Sequence, residues 1–166
     1  MTYSRRKFCL ATLLAGCTAP LGRLSGAGAG DGQALESGLQ AWMETLYPSD
    51  EISPGAGRLN VHLDILNKAR PDKNYIGLLK FGVRWADAGA KQLGKESFAA
   101  LDSEAREQIM AKAEANGLSG LPGYFFQQTR RDGAVFYYSK KESWAGLAIN
   151  RPPQPIGYPF HSMPPE

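Results

Sequence analysis

The chain has 166 residues and a formal charge of +3, from 19 basic and 16 acidic side chains. That length is enough for one domain with its own apolar core. The excess charge belongs to Arg5, Arg6 and Lys7, and no acid precedes Cys17, so the chain from Cys17 onward is balanced. A neutral body gives no electrostatic reason to expect nucleic acid or anionic lipid as a partner.

Residues 1–16 read as a leader. A basic stretch precedes about nine mildly apolar residues, roughly half of what a membrane-spanning helix needs. Ser4-Arg5-Arg6-Lys7-Phe8 resembles the twin-arginine export signature, in which Arg5 and Arg6 are the pair read by the translocase. Leu14-Ala15-Gly16-Cys17 resembles a lipobox, with cleavage before Cys17 and lipid attached to it. The expected product is a periplasmic lipoprotein held at a membrane. Cys9 leaves with the leader and Cys17 carries lipid, so no thiol remains for a disulfide, a zinc site or catalysis.

Residues 17–33 carry Gly22, Gly26, Gly28, Gly30 and Gly32 among Ala and Ser. Such a run buries little apolar surface and reads as a flexible tether after the lipidated Cys17. The folded domain is expected over residues 34–166. Leu35, Leu39, Trp42, Met43 and Leu46 are spaced as one face of a helix, which Tyr47-Pro48 ends. Ser53-Pro54-Gly55 is a turn, and Leu59 to Leu66 predicts a second helix running to about Ala69. Tyr75 to Leu93 predicts a third, with Lys80, Arg84, Asp87 and Lys91 largely opposite its apolar face. Asp102-Ser103 is an N-cap for a fourth helix, with Glu104 and Glu107 in its first turn and Asn116-Gly117 at its end.

Tyr124 opens a last helix, which Asp132-Gly133 is expected to stop as a turn. Val135-Phe136-Tyr137-Tyr138 then has the composition of a short extended segment, Ser143-Trp144 suggests one more helical turn, and the Pro-rich stretch from Asn150 predicts an irregular C-terminus. The predicted class is all-α, a compact bundle of about five helices.

The search for chemistry is mostly negative. There is no dinucleotide-binding glycine motif, no phosphate loop and no haem-attachment motif in the sequence. Of the two histidines, His62 falls in a predicted helix and His161 in the tail, so His62 reads as a surface or interhelical polar residue. Tyr137 and Tyr138 offer either a binding surface or packing. These residues point to a binding or accessory protein, with no catalytic, cofactor or metal site assigned in this chain.

Several segments together resemble the gluconate 2-dehydrogenase subunit 3 family. They are the twin-arginine leader, Leu46-Tyr47-Pro48-Ser49-Asp50, Ser53-Pro54-Gly55-Ala56, Phe98 with Leu101, Gly133 to Tyr137, Trp144, and Pro152-Pro153-Gln154-Pro155-Ile156-Gly157-Tyr158-Pro159. The resemblance implies a non-catalytic small subunit that escorts a folded FAD-binding dehydrogenase subunit through the twin-arginine route. FAD is then expected in the partner, and a cytochrome c subunit is a further expected partner. Trp144, Pro152, Pro153 and Tyr158 are the candidate contacts, because rigid aromatics and prolines lose little entropy in an interface. The alternative is a stand-alone periplasmic lipoprotein that binds a small ligand, which requires a pocket with convergent polar groups.

Overall fold

The computed structural model describes residues 27–147. Five α-helices are present among them: α1 Ala27–Leu46, α2 Val61–Ala69, α3 Lys73–Gln92, α4 Ser103–Ala115 and α5 Leu121–Tyr138. Short 3-10 turns cover Phe98–Ala100, Gly117–Ser119 and Lys141–Leu147, and there is no strand among the described residues. The leader with Arg5 and Arg6, Cys17, and the Pro-rich segment with Pro152, Pro153 and Tyr158 lie outside the described residues. No described helix is long and apolar enough to cross a membrane.

Helix ends follow from side chains that take up otherwise unpaired backbone N–H groups. Asp72 Oδ1 accepts from the N–H groups of Asn74 (2.8 Å) and Tyr75 (3.2 Å) at the start of α3. Asp102 Oδ1 accepts from Ala105 N–H at 2.9 Å at the start of α4, as the sequence predicts. Helix α1 starts at Ala27 and so takes in Ala27 to Gln33, a stretch the glycine content places in the tether. Beyond Leu46, the Glu44 carboxylate accepts from Ser49 Oγ (3.1 Å) and Gly57 N–H (2.8 Å), clamping the Ser-Pro-Gly-Ala segment against α1.

Helix α5 touches all four other helices. Its inner arc supplies Phe125, which meets Trp42 of α1 at 4.7 Å between ring centroids, and Trp42 in turn meets Phe98 at 5.5 Å. These three are fully buried. Burying an indole is costly unless its N–H finds a partner. Here Trp42 Nε1 donates to Thr129 Oγ1 at 2.9 Å, and the same hydroxyl donates to the Phe125 carbonyl at 2.8 Å. Helix α3 approaches through Gly82, where a Cβ would collide with the Phe125 ring.

The expected break at Asp132-Gly133 does not occur. Helix α5 runs through both residues, and Val135 to Tyr138 form its last turn rather than an extended segment. Gly133 sits where a Cβ would overlap the Met43 methyl and come within 2.9 Å of the Tyr47 ring, so its small size lets α5 press onto α1. The cost of glycine inside a helix is roughly 1 kcal/mol. Close packing over the whole inner arc outweighs it.

Candidate partner interface

Helix α5 carries apolar side chains on two arcs, and only one is used by the core. Phe125, Phe126, Thr129, Asp132 and Tyr137 point inward and are buried. At about 100° per residue, Leu121, Tyr124, Gln128, Arg131, Val135 and Tyr138 form a second strip, at alternating steps of three and four residues. Leu121 is 55% exposed, Tyr124 48%, Val135 63% and Tyr138 53%; Leu118, in the turn before α5, is 76% exposed. Single exposed apolar residues are ordinary on any protein, whereas two pairs on one face of a helix, with Gln128 and Arg131 between them, make that face a candidate interaction surface.

A shallow groove lies on each flank of this strip where it passes Tyr124 and Gln128. One is lined by Lys68, Asn74, Tyr75, Leu78, Tyr124 and Gln128. The other is lined by Leu118, Tyr124, Gln127, Gln128, Arg130 and Arg131, with Tyr47 among its walls. Tyr124 and Gln128 line both, which makes this stretch of α5 a ridge between two furrows. That relief suits helix packing, in which ridges of one surface settle into grooves of another.

Under the first groove lies a buried polar cluster that fixes the ridge in place. Asp132 is buried, and its carboxylate accepts from Lys68 Nζ at 2.7 Å, Tyr75 Oη at 2.6 Å and Gln128 Nε2 at 3.3 Å. Burial by itself raises the Asp132 pKa, but the three donors and the Lys68 charge outweigh it and hold the carboxyl below its ordinary range. Burial, and then the Asp132 carboxylate, push the Tyr75 phenol strongly up. The cluster joins α2, α3 and α5 with every carboxylate contact satisfied, so it is built to hold an arrangement rather than to exchange protons near neutral pH.

The exposed charge on α5 is all of one sign. Asp132 is the helix's acid and is spent inside, leaving Arg130 and Arg131 outside. The ion pairs among the described residues are Lys68 with Asp132 and Lys140 with Asp64, and neither arginine takes part in one. Arg130 Nη2 donates to Gln127 at 2.9 Å, and its guanidinium lies 5.7 Å from the Phe126 ring centroid.

Among the residues singled out from the sequence, Trp144 is half-buried in the final 3-10 turn, and its Nε1 donates to the Tyr138 carbonyl at 2.8 Å. It therefore sits at the C-terminal end of the α5 ridge. The tyrosine pair divides: Tyr137 is buried, stacked on Tyr47 at 5.2 Å and donating to the Pro54 carbonyl at 3.1 Å, while Tyr138 faces out. His62 is interhelical and buried, with Nδ1 lacking a hydrogen-bond partner. Burial lowers its pKa, opposed by the charges of Glu36 and Asp64. Among the described residues, no three His, Cys, Asp or Glu side chains are grouped to hold a metal ion. Sequence reading did not single out the outer strip of α5; the alternating three and four spacing of Leu121, Tyr124, Gln128, Arg131, Val135 and Tyr138, apolar at both ends, was the sign that could have found it.

A family model described as Gluconate 2-dehydrogenase subunit 3 matches residues 36–155, well over half of the chain. No curated protein and no solved structure matches significantly.

Proposed function

The chain belongs to the gluconate 2-dehydrogenase subunit 3 family, and from that membership we propose a non-catalytic accessory role beside a large FAD-binding dehydrogenase subunit. The match over residues 36–155 carries this reading, and the exposed ridge of α5 supports it with a surface suited to another polypeptide. In this reading Arg5 and Arg6 bring the folded partner, its FAD already in place, through the twin-arginine route. Lipid on Cys17 then holds the complex at a membrane facing the periplasm. Trp144 contributes at the interface, and Pro152, Pro153 and Tyr158, which follow it in the chain, contribute further contacts. A cytochrome c subunit receives the electrons, since this role leaves redox chemistry to other chains.

Two substitutions test it. Replacing Arg5-Arg6 by Lys-Lys is expected to strand the large subunit in the cytoplasm with its FAD content unchanged, because the pair is read by guanidinium geometry that an ammonium does not reproduce. Cys17→Ala is expected to block processing or release the complex from membranes, since lipid residence rests on roughly 0.8 kcal/mol per buried methylene. Dehydrogenase turnover by this chain alone, or export of the partner unaffected by the Lys-Lys change, overturns the reading.

A further inference from the structure

The outer strip of α5 has a spacing, a relief and a charge that together specify what can cover it. Resting on the accessory-subunit reading, we infer that this ridge is the docking site for an amphipathic helix of the large subunit, one with an apolar seam and carboxylates near its middle. The first observation is the spacing. Leu121, Tyr124, Gln128, Arg131, Val135 and Tyr138 step by three and four, the periodicity of a seam between two packed helices. From Leu121 to Tyr138 the strip runs about 26 Å at 1.5 Å per residue, enough for four to five turns of a partner helix. The second is relief: a furrow on each side of Tyr124 and Gln128 accepts side chains flanking the partner's own seam there.

The third observation is charge, and it separates a foreign helix from a second copy of this chain. Arg131 lies near the midpoint of the strip, with Arg130 beside it, and neither has an ion-pair partner among the described residues. Pairing two copies along this face, parallel or about a two-fold axis, brings Arg131 of one close to Arg131 of the other. Like charges facing each other in an interface are costly. A helix with Asp or Glu opposite Arg131 removes that cost and gains bidentate guanidinium–carboxylate bonds. The apolar positions at the ends and the cationic middle thus ask for a complementary seam, not a symmetric one.

The test uses the purified mature chain, with Cys17→Ala to keep it in solution, and the purified FAD-loaded large subunit, titrated by calorimetry. The triple variant Leu121→Ser/Tyr124→Ser/Val135→Ser is expected to bind at least about a hundredfold more weakly, since a few large apolar anchors carry most of an interface's energy and this removes three of the strip's four. Its far-UV circular dichroism is expected to be unchanged, because all three side chains are exposed. Arg131→Glu is expected to lose about tenfold at low salt, with the loss shrinking as salt screens the pair. Glu107→Ala, on α4, serves as the control and leaves binding unchanged. If the wild-type chain binds the large subunit and the triple variant and Arg131→Glu bind equally well, this inference fails while the accessory reading stands. If the wild-type chain does not bind at all, the accessory reading itself fails. Self-association that is lost in the triple variant, or binding of this chain to anionic vesicles that the triple variant loses, also overturns the inference by assigning the ridge another occupant.

Discussion

The two sides of α5 differ less in composition than in what surrounds them. The inner arc holds Phe125, Phe126 and Tyr137, the outer strip Leu121, Tyr124, Val135 and Tyr138. Each is apolar, each is aromatic-rich, and each is interrupted by one charge, Asp132 inside and Arg131 outside. Inside, Asp132 finds Lys68, Tyr75 and Gln128. Outside, Arg131 has no ion-pair partner among the described residues. The buried charge is paired within the chain, while the exposed one is paired only with water among the described residues, and that leaves it available to a carboxylate from outside.

The comparison predicts that identical chemistry on the two sides gives very different losses. The largest is expected for Phe125→Ala, which empties the space between Trp42 and Gly82 and costs about 3–5 kcal/mol in denaturant unfolding, as large aromatic truncations in cores do. A loss under about 1 kcal/mol would mean that the inner arc is no better packed than the outer. Next comes Asp132→Ala, which leaves the Tyr75 hydroxyl without its acceptor and Lys68 without its partner. The expected cost is about 2–3 kcal/mol, mostly the penalty for a buried donor left unsatisfied. Lys68→Met is expected to cost less, since the Lys68 side chain is half-exposed and water already shares its charge.

The same cluster sets a pH dependence whose sign is fixed. The folded Asp132 pKa lies below its ordinary value of about 3.9. Its contribution to stability is therefore complete above about pH 4 and lost as pH falls through the folded value. Tyr75 works at the other end: its pKa is raised, so its contribution is full below about pH 10 and fades as pH climbs beyond. His62, with a lowered pKa, adds a smaller effect in the middle. Its contribution is full above about pH 6.5 and declines as pH falls below that, because the unfolded chain takes up the proton more readily. Melting temperatures between pH 7 and 5 are expected to fall less steeply in His62→Gln, whose side chain does not titrate.

The smallest stability effect is expected on the outer strip. Val135→Ser changes a side chain that is mostly in water, and its unfolding free energy is expected to stay within about 0.5 kcal/mol of the wild type. A drop comparable to that of Phe125→Ala would show that the strip is already covered within the chain. Near-neutral stability together with weakened binding to the large subunit would instead sharpen the contrast between the two sides.

Much of the fold is legible in the residues. The apolar spacing of Leu35, Leu39, Trp42 and Met43, the broad face of α3, Asp102 as a cap and Asn116-Gly117 as a stop are local patterns, and local energies of capping and periodicity suffice to place them. Asp132-Gly133 shows where local reading fails. An Asp-Gly pair favours a turn by an amount on the order of 1 kcal/mol, while the residues that override it are far away in sequence. Lys68 and Tyr75 stand 64 and 57 positions before Asp132, and Met43 and Tyr47 belong to the first helix and its end. No window of neighbouring residues contains them.

What the sequence determines by itself is the all-α class, the helix starts and stops that depend on caps, and the family to which residues 36–155 belong. Which arc of α5 is core and which is surface was decided only by tertiary structure. Both arcs have helical apolar periodicity, and periodicity states that a face is apolar without stating what covers it. The approach of Gly82 and Gly133, which admits Phe125 beneath α3 and Met43 beneath α5, turns one arc inward. Leu121, Tyr124, Val135 and Tyr138 are left outside because the described residues form a single core, and α1 to α4 with the inner arc of α5 have already filled it.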